Sequence, residues 1–199
     1  MNWQDEGYLL SKNAFDENSI IIEAFTLNHG KFNGIVYGGS SRKKKKFFQI
    51  GNKILLDWNS KNENKIGYFN TELIKPVSPL FFDDKRRSIC VLASSSLLKI
   101  LLPERQINKK IYRSFEFLIN QLNQSDWIEN YIHWELQLIK ELGYDIDVAK
   151  MNDQISNFNK NLEINGKVFK IPDFFSKKNL DVSNHHIKEA LKFNKAVFA

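Results

Sequence analysis

A chain of 199 residues with 42% hydrophobic side chains and 16 phenylalanines can bury one large core or two small ones, which excludes a disordered tail. Its single cysteine, Cys90, excludes an internal disulfide or a multi-thiolate metal site, and a net charge of +6 favours a partner that carries phosphates. The first residues lack a secretory signal and no apolar run approaches about 18 residues, so we expect a cytoplasmic protein with no membrane partner.

The first 75 residues carry short β-branched and aromatic runs separated by turn residues, a pattern typical of small antiparallel strands. Asn28-His29-Gly30 predicts a hairpin loop after the second run, and Gly51-Asn52 is a candidate break in the fourth. Five strands can close a small barrel, either an OB-fold or an SH3-like barrel, and periodicity does not separate the two. The predicted strands are 7–12, 19–27, 32–37, 47–58 and 66–74.

A run of five cations at positions 42–46 follows Gly38-Gly39-Ser40-Ser41 and precedes Phe47-Phe48. Like charges this close repel one another, so binding of phosphates favours the run. Aromatic rings beside it can stack on bases, which favours nucleic acid over a plain acidic surface. A solvated surface loop is the alternative interpretation of such a lysine run.

Several aromatic residues lie on the predicted strands, where alternation sends about half into the core and half outward. Outward rings near the cations would form a platform for bases. These residues are Tyr37, Phe47, Phe48, Trp58, Tyr68 and Phe69.

After Lys75-Pro76-Val77-Ser78-Pro79 the apolar period becomes that of helices. The first helix is expected to be capped by Asp83 or Asp84 and to end before Pro103. Its predicted apolar face consists of Ile89, Leu92, Ala93, Leu97, Ile100 and Leu101.

Two further helices complete the predicted bundle. The third begins at a capping box of Asp126 and Glu129 and ends at Gly143. Residues 145–182 are weakly periodic, with a hairpin around Asn165-Gly166, and a last helix starts near Ser183. The second helix carries an apolar stripe of Ile111, Phe115, Leu118 and Leu122.

Catalytic motifs are missing from the sequence: it has no phosphate-binding loop, no nucleophile elbow and no zinc-protease helix. We therefore expect no catalytic residue, metal or cofactor, and a protein that is not an enzyme. His185-His186 cannot share one helical face, so surface histidines are a better interpretation than a metal site. Cys90, His133, Trp127 and Trp134 are interpreted as packing residues.

Six phrases occur in a fixed order along the first 145 residues and together are specific. They are Trp3-x-Asp5-Glu6-Gly7-Tyr8-Leu9-Leu10-Ser11, Leu27-Asn28-His29-Gly30-Lys31, Gly38-Gly39-Ser40-Ser41-Arg42, Gln49-Ile50-Gly51-Asn52, Leu101-Leu102-Pro103-Glu104-Arg105 and Trp134-Glu135-Leu136-x-Leu138-Ile139-x-Glu141-Leu142-Gly143-Tyr144. This combination resembles the family of the bacterial recombination mediator RecO.

The resemblance implies an α+β protein: an N-terminal five-stranded OB-fold β-barrel at 1–77 followed by an α-helical bundle domain at 78–199. It implies a DNA repair and recombination mediator, associated with the nucleoid, that binds single- and double-stranded DNA and anneals complementary strands. RecR and single-stranded-DNA-binding protein are the implied partners, with RecA as the recombinase that is loaded. Many relatives carry a four-cysteine zinc module after the equivalent of Gly143-Tyr144, but residues 145–172 contain no cysteine, so zinc is not expected.

The predicted DNA-binding surface combines cations for phosphates with aromatic rings for bases. Two other functions fit the same features: an RNA-binding OB-fold protein of the translation apparatus, and a protein-recruitment adaptor that grips a partner's acidic tail. The predicted DNA-binding residues are Lys31, Arg42, Lys43, Lys44, Lys45, Lys46, Lys53, Tyr37, Phe47 and Phe48.

Overall fold

Five strands in the first 75 residues close a barrel in the order β1-β2-β3-β5-β4, with β4 returning to β1. A computed structural model of the chain describes residues 2–42, 44–60, 66–143, 161–164 and 167–170. β3 and β5 pair in parallel and the other neighbours are antiparallel. The strands are β1 (Asn2–Ala14), β2 (Ile20–Thr26), β3 (Gly30–Val36), β4 (Lys53–Asn59) and β5 (Gly67–Lys75).

This barrel is an OB-fold, so the predicted fold class is confirmed and the SH3-like alternative is wrong. The hairpin at Asn28-His29-Gly30 is confirmed, with Gly30 at φ +75°, a conformation that glycine adopts without strain. The fourth predicted strand does break at Gly51-Asn52, because β4 begins only at Lys53. Alternate residues of the strands fill the barrel with Leu9, Ile22, Ala24, Val36, Ile54, Leu56, Trp58 and Phe69.

The chain divides into two compact units, Met1–Tyr112 and Arg113–Ala199. The first contains the barrel, a short 3₁₀ helix (Ser78–Phe81), α1 (Lys85–Leu101) and the start of α2 (Lys109–Gln121). Tyr112 at that start packs against Tyr8 and Phe25, with ring centroids 5.6 Å away in each case. The division into domains at residue 77 stays a prediction.

The capping prediction for α1 is confirmed, but its predicted apolar face is wrong. The Asp84 carboxylate accepts a hydrogen bond from the Arg87 backbone N–H at 3.0 Å. Leu92 is exposed, whereas Val91, Ser94, Ser95 and Leu98 are buried. The Ser94 hydroxyl donates to the Cys90 carbonyl at 2.8 Å, so this polar side chain is satisfied within its own helix and can face the core.

The second unit contains the rest of α2 and α3 (Trp127–Glu141). Phe115, Leu118 and Leu122 are buried, as the stripe on α2 predicts, and the Phe115 and Trp134 ring centroids lie 5.9 Å apart. The packing roles of Trp127 and Trp134 are thereby confirmed.

The two ends of α3 differ from each other in how they meet the prediction. Asp126 is at the N-cap position, but its side chain forms no cap hydrogen bond, so the predicted capping box is wrong. Its φ of −92° and ψ of 18° depart from the extended backbone that aims a carboxylate at the first helical N–H groups. Gly143 has φ +92° after the helix, and its N–H donates to the Lys140 carbonyl at 3.0 Å, as expected of a C-terminal glycine.

Strands β6 (Asn161–Ile164) and β7 (Lys167–Lys170) pair antiparallel, which confirms the hairpin predicted around Asn165-Gly166. The predicted last helix and His185-His186 lie outside the described residues. No helix in the described part of the chain is both long and apolar enough to cross a membrane.

Candidate nucleic-acid interface

The connection between β3 and β4 carries a cluster of exposed cations that we call the basic loop: Arg42, Lys44, Lys45 and Lys46. Lys43 lies outside the described residues. Within the part of the chain that the structure describes, none of the four side chains forms an ion pair. Their charges therefore remain available to an external anion.

Hydrogen bonds hold the basic loop on the barrel at both ends. The Ser40 hydroxyl donates to the Glu17 carbonyl at 3.0 Å, and the Lys45 N–H donates to the Ser41 carbonyl at 2.8 Å. At the far end the Asn52 side-chain amide donates to the Phe47 carbonyl at 3.0 Å. The cations are therefore displayed from a backbone whose position is fixed by the barrel.

The prediction that Phe47 and Phe48 lie on a strand is wrong, because both precede β4. Phe48 is 1% exposed and belongs to the barrel core, so its ring is not available to a base. Phe47 is half-buried, and the Lys46 ammonium lies 5.7 Å from its ring centroid. One of the two predicted stacking rings is thus an anchor of the loop instead.

Two outward-facing rings stand beside the start of the basic loop. Tyr37 is 60% exposed and Tyr68 40% exposed, and their ring centroids are 6.0 Å apart at an angle of 50°. The parallel register pairs Ile35 with Tyr68, which places Tyr68 next to the end of β3 where Tyr37 follows. We call these residues the tyrosine pair.

Lys31 was predicted to hold a phosphate, but the structure corrects this. Its side chain is only 8% exposed, and its ammonium lies 3.4 Å from the Glu23 carboxylate and donates to the Lys99 carbonyl. A buried charge needs such partners, so Lys31 joins β2 and β3 to the end of α1.

Lys53 is also engaged within the barrel, contrary to its predicted role. Its ammonium lies 2.7 Å from a Glu6 carboxylate oxygen and 5.9 Å from the Tyr8 ring centroid. Only 15% of the side chain is exposed. A phosphate would have to displace Glu6 to reach it.

Lys12, near the end of β1, is a cation that the sequence analysis missed. Burial, and then the nearby Lys45 ammonium, lower the pKa of Lys12 below its ordinary value. Position along the chain gives no signal for this proximity, since 33 residues separate the two lysines and strand pairing brings them together. Among the described residues, no group of three metal-binding side chains is present.

The architecture defines the class first: an OB-fold barrel with an unpaired basic loop, followed by helices. The chain matches the family model described as Recombination protein O N terminal over residues 1–77, and the model described as Recombination protein O C terminal over residues 83–196. The chain therefore belongs to the recombination protein O (RecO) family.

Curated relatives agree with this assignment. The chain is 32% identical over 152 residues to the DNA repair protein RecO of Wolbachia sp. subsp. Drosophila simulans (strain wRi), covering 75% of the chain and 62% of the relative. It is 34% identical over 151 residues to that of Cereibacter sphaeroides (strain ATCC 17023), covering 75% and 63%. A third relative, from Wolbachia pipientis wMel, is 28% identical over 208 residues, covering 97% and 85%. In the first two comparisons the chain spans about three fifths of the relative's length.

Proposed function

We propose that this protein binds DNA through the basic loop and the tyrosine pair, and that it serves DNA repair as a recombination mediator. The observation that carries the proposal is the set of four exposed, unpaired cations on an OB-fold barrel beside two exposed rings. Lysines and arginine neutralise phosphates and release counterions, while tyrosine rings stack on bases without regard to sequence. The names of the curated relatives support a role in DNA repair.

Strand annealing follows from the same electrostatics and needs no nucleotide hydrolysis. Two complementary strands repel each other through their phosphates, and bound cations lower that repulsion. The proposal therefore assigns no bond-making step and no catalytic residue to the chain. The single strands would come from DNA released by single-stranded-DNA-binding protein, and RecR would be the partner in loading recombinase on the nucleoid.

The test is a salt titration of DNA binding by two variants with the same change of net charge. Lys44→Gln/Lys45→Gln/Lys46→Gln removes three cations of the basic loop. The matched control, Lys85→Gln/Lys109→Gln/Lys140→Gln, removes three exposed lysines from helices.

We expect the loop variant to lose affinity and its slope of log affinity against log salt to fall by about 2, at roughly 0.7 per phosphate on single strands. The control should keep both values, because whole-protein charge changes equally in the two proteins. Equal slopes for wild type and loop variant, with equal annealing rates, would contradict the proposal.

Two further readouts separate the alternative functions. Matched RNA that competes as well as DNA would favour an RNA-binding OB-fold protein. Failure of wild type to bind any oligonucleotide, together with capture of an acidic peptide, would favour a recruitment adaptor. Co-elution with purified RecR in size-exclusion chromatography tests the proposed partnership.

A further inference from the structure

A cavity of about 280 Å³ opens on the barrel beside the basic loop. The end of β1 forms one wall, the start of β2 forms the floor, and the β3–β4 connection forms the other wall. Its lining includes Lys12, Ala14, Ile20, Ser40, Lys45 and Phe48. The cavity thus combines residues from segments far apart in sequence, and it lies within the first compact unit.

Two cations stand at this cavity without a counterion. Lys12 and Lys45 both line it, and in the described part of the chain neither forms an ion pair. Their proximity is unfavourable in the free protein, since the Lys45 ammonium contributes to the lowered pKa of Lys12. A bound anion between them would relieve that repulsion, which makes the site complementary to one phosphate.

The rest of the cavity is apolar. Ile20 and Phe48 are 8% and 1% exposed and form a rigid floor, and the Ala14 methyl group leaves space above it. Gly39 also lines the cavity, and a Cβ atom there would lie 2.6 Å from the Ile20 side chain. The wall approaches the floor this closely only because position 39 is glycine.

We propose that this cavity takes one unpaired nucleotide of the bound DNA strand, with its phosphate between Lys12 and Lys45 and its base on the apolar floor. The proposal rests on the proposed function, since it places a particular subsite beside the basic loop. The volume lies near the roughly 300 Å³ at which ligand pockets begin, so it suits a single nucleotide rather than a longer segment. A base can enter only when it has left its partner, so the site favours single strands over duplex.

The test fills the cavity without changing charge. Ala14→Leu places a branched side chain above the floor, at an exposed position where folding tolerates it. The control Asn18→Leu adds the same side chain to the neighbouring exposed turn, outside the lining. Fluorescence anisotropy gives affinities for a labelled thymidine oligomer, for an abasic oligomer of the same length, and for a duplex.

We expect Ala14→Leu to reduce the ratio of thymidine to abasic affinity by about fivefold or more, the effect of losing one base contact. Its affinities for abasic strand and duplex should match those of wild type. Asn18→Leu should keep the wild-type ratio. Thermal unfolding checks that both variants are folded.

A second variant tests the phosphate half independently. Lys12→Gln should weaken thymidine and abasic strands alike and lower the salt slope by about 0.7. If Ala14→Leu leaves the affinity ratio unchanged, or Lys12→Gln leaves the slope unchanged, the nucleotide site is wrong while salt-dependent binding by the basic loop still stands. If wild type shows no salt-dependent binding at all, the proposed function falls and this site falls with it.

Discussion

Asn52 is the side chain whose removal tests most directly how the barrel holds the basic loop. It is fully buried at the turn before β4. Its amide donates to the Phe47 carbonyl at 3.0 Å, and its carbonyl oxygen accepts from the backbone N–H groups of Val77 at 2.8 Å and Ser78 at 3.2 Å. One side chain thus connects the end of the loop to the segment that leads into α1.

Asn52→Ala removes all three hydrogen bonds and leaves buried backbone groups without their partner. At about 1 kcal/mol for each bond, we expect the free energy of unfolding to fall by about 3 kcal/mol. Urea unfolding of the full chain, followed by tryptophan fluorescence, measures the change as a shift of the midpoint at constant slope. Amide hydrogen exchange at Val77 and Ser78 should accelerate in parallel.

The matched control is Asn70→Ala, which removes a single exposed contact of 3.4 Å to Asp57. Its effect should stay within about 0.5 kcal/mol, as for ordinary surface substitutions. If Asn52→Ala costs no more than this control, and exchange at Val77 is unaltered, the three bonds do not hold the loop and the reasoning fails.

Two further substitutions test other assignments. Phe48→Ala should lower the free energy of unfolding by about 3–5 kcal/mol, as for a buried ring, and leave the salt slope of DNA binding unchanged; a stable variant with lost affinity would return Phe48 to the interface. Asp84→Ala should cost about 1 kcal/mol at neutral pH. Because the Arg87 backbone N–H lowers the pKa of Asp84, this contribution is present above about pH 4 and is lost as the pH falls through the lowered pKa, so wild type and variant should converge in acid denaturation; a constant difference would contradict the assignment.

Local patterns were sufficient for most elements of the fold. Short apolar runs and the turn at Asn28-His29-Gly30 predict the strands of the barrel, because side-chain alternation and turn chemistry are properties of neighbouring residues. Asp84 and Gly143 mark helix ends for the same reason. The face of α1 could not be predicted in this way, since Ser94 is polar by composition yet is buried once its hydroxyl bonds to Cys90.

The candidate site was predictable only in part. Five consecutive cations at 42–46 are visible in any reading of the chain, and four of them are exposed in the structure, with Lys43 outside the described residues. Lys31 and Lys53 have the same charge but are occupied by Glu23 and Glu6, and no pattern along the sequence reveals an ion pair between strands.

The sequence by itself determined which strands and helices form and where the positive charge is concentrated, because these depend on residues close along the chain. Only the tertiary structure decided which lysines remain free, that Phe48 points inward while Tyr37 and Tyr68 face outward, and that Lys12 meets Lys45 at one cavity. Those outcomes depend on strand register and barrel closure, which bring together residues separated by tens of positions and set the burial of each side chain.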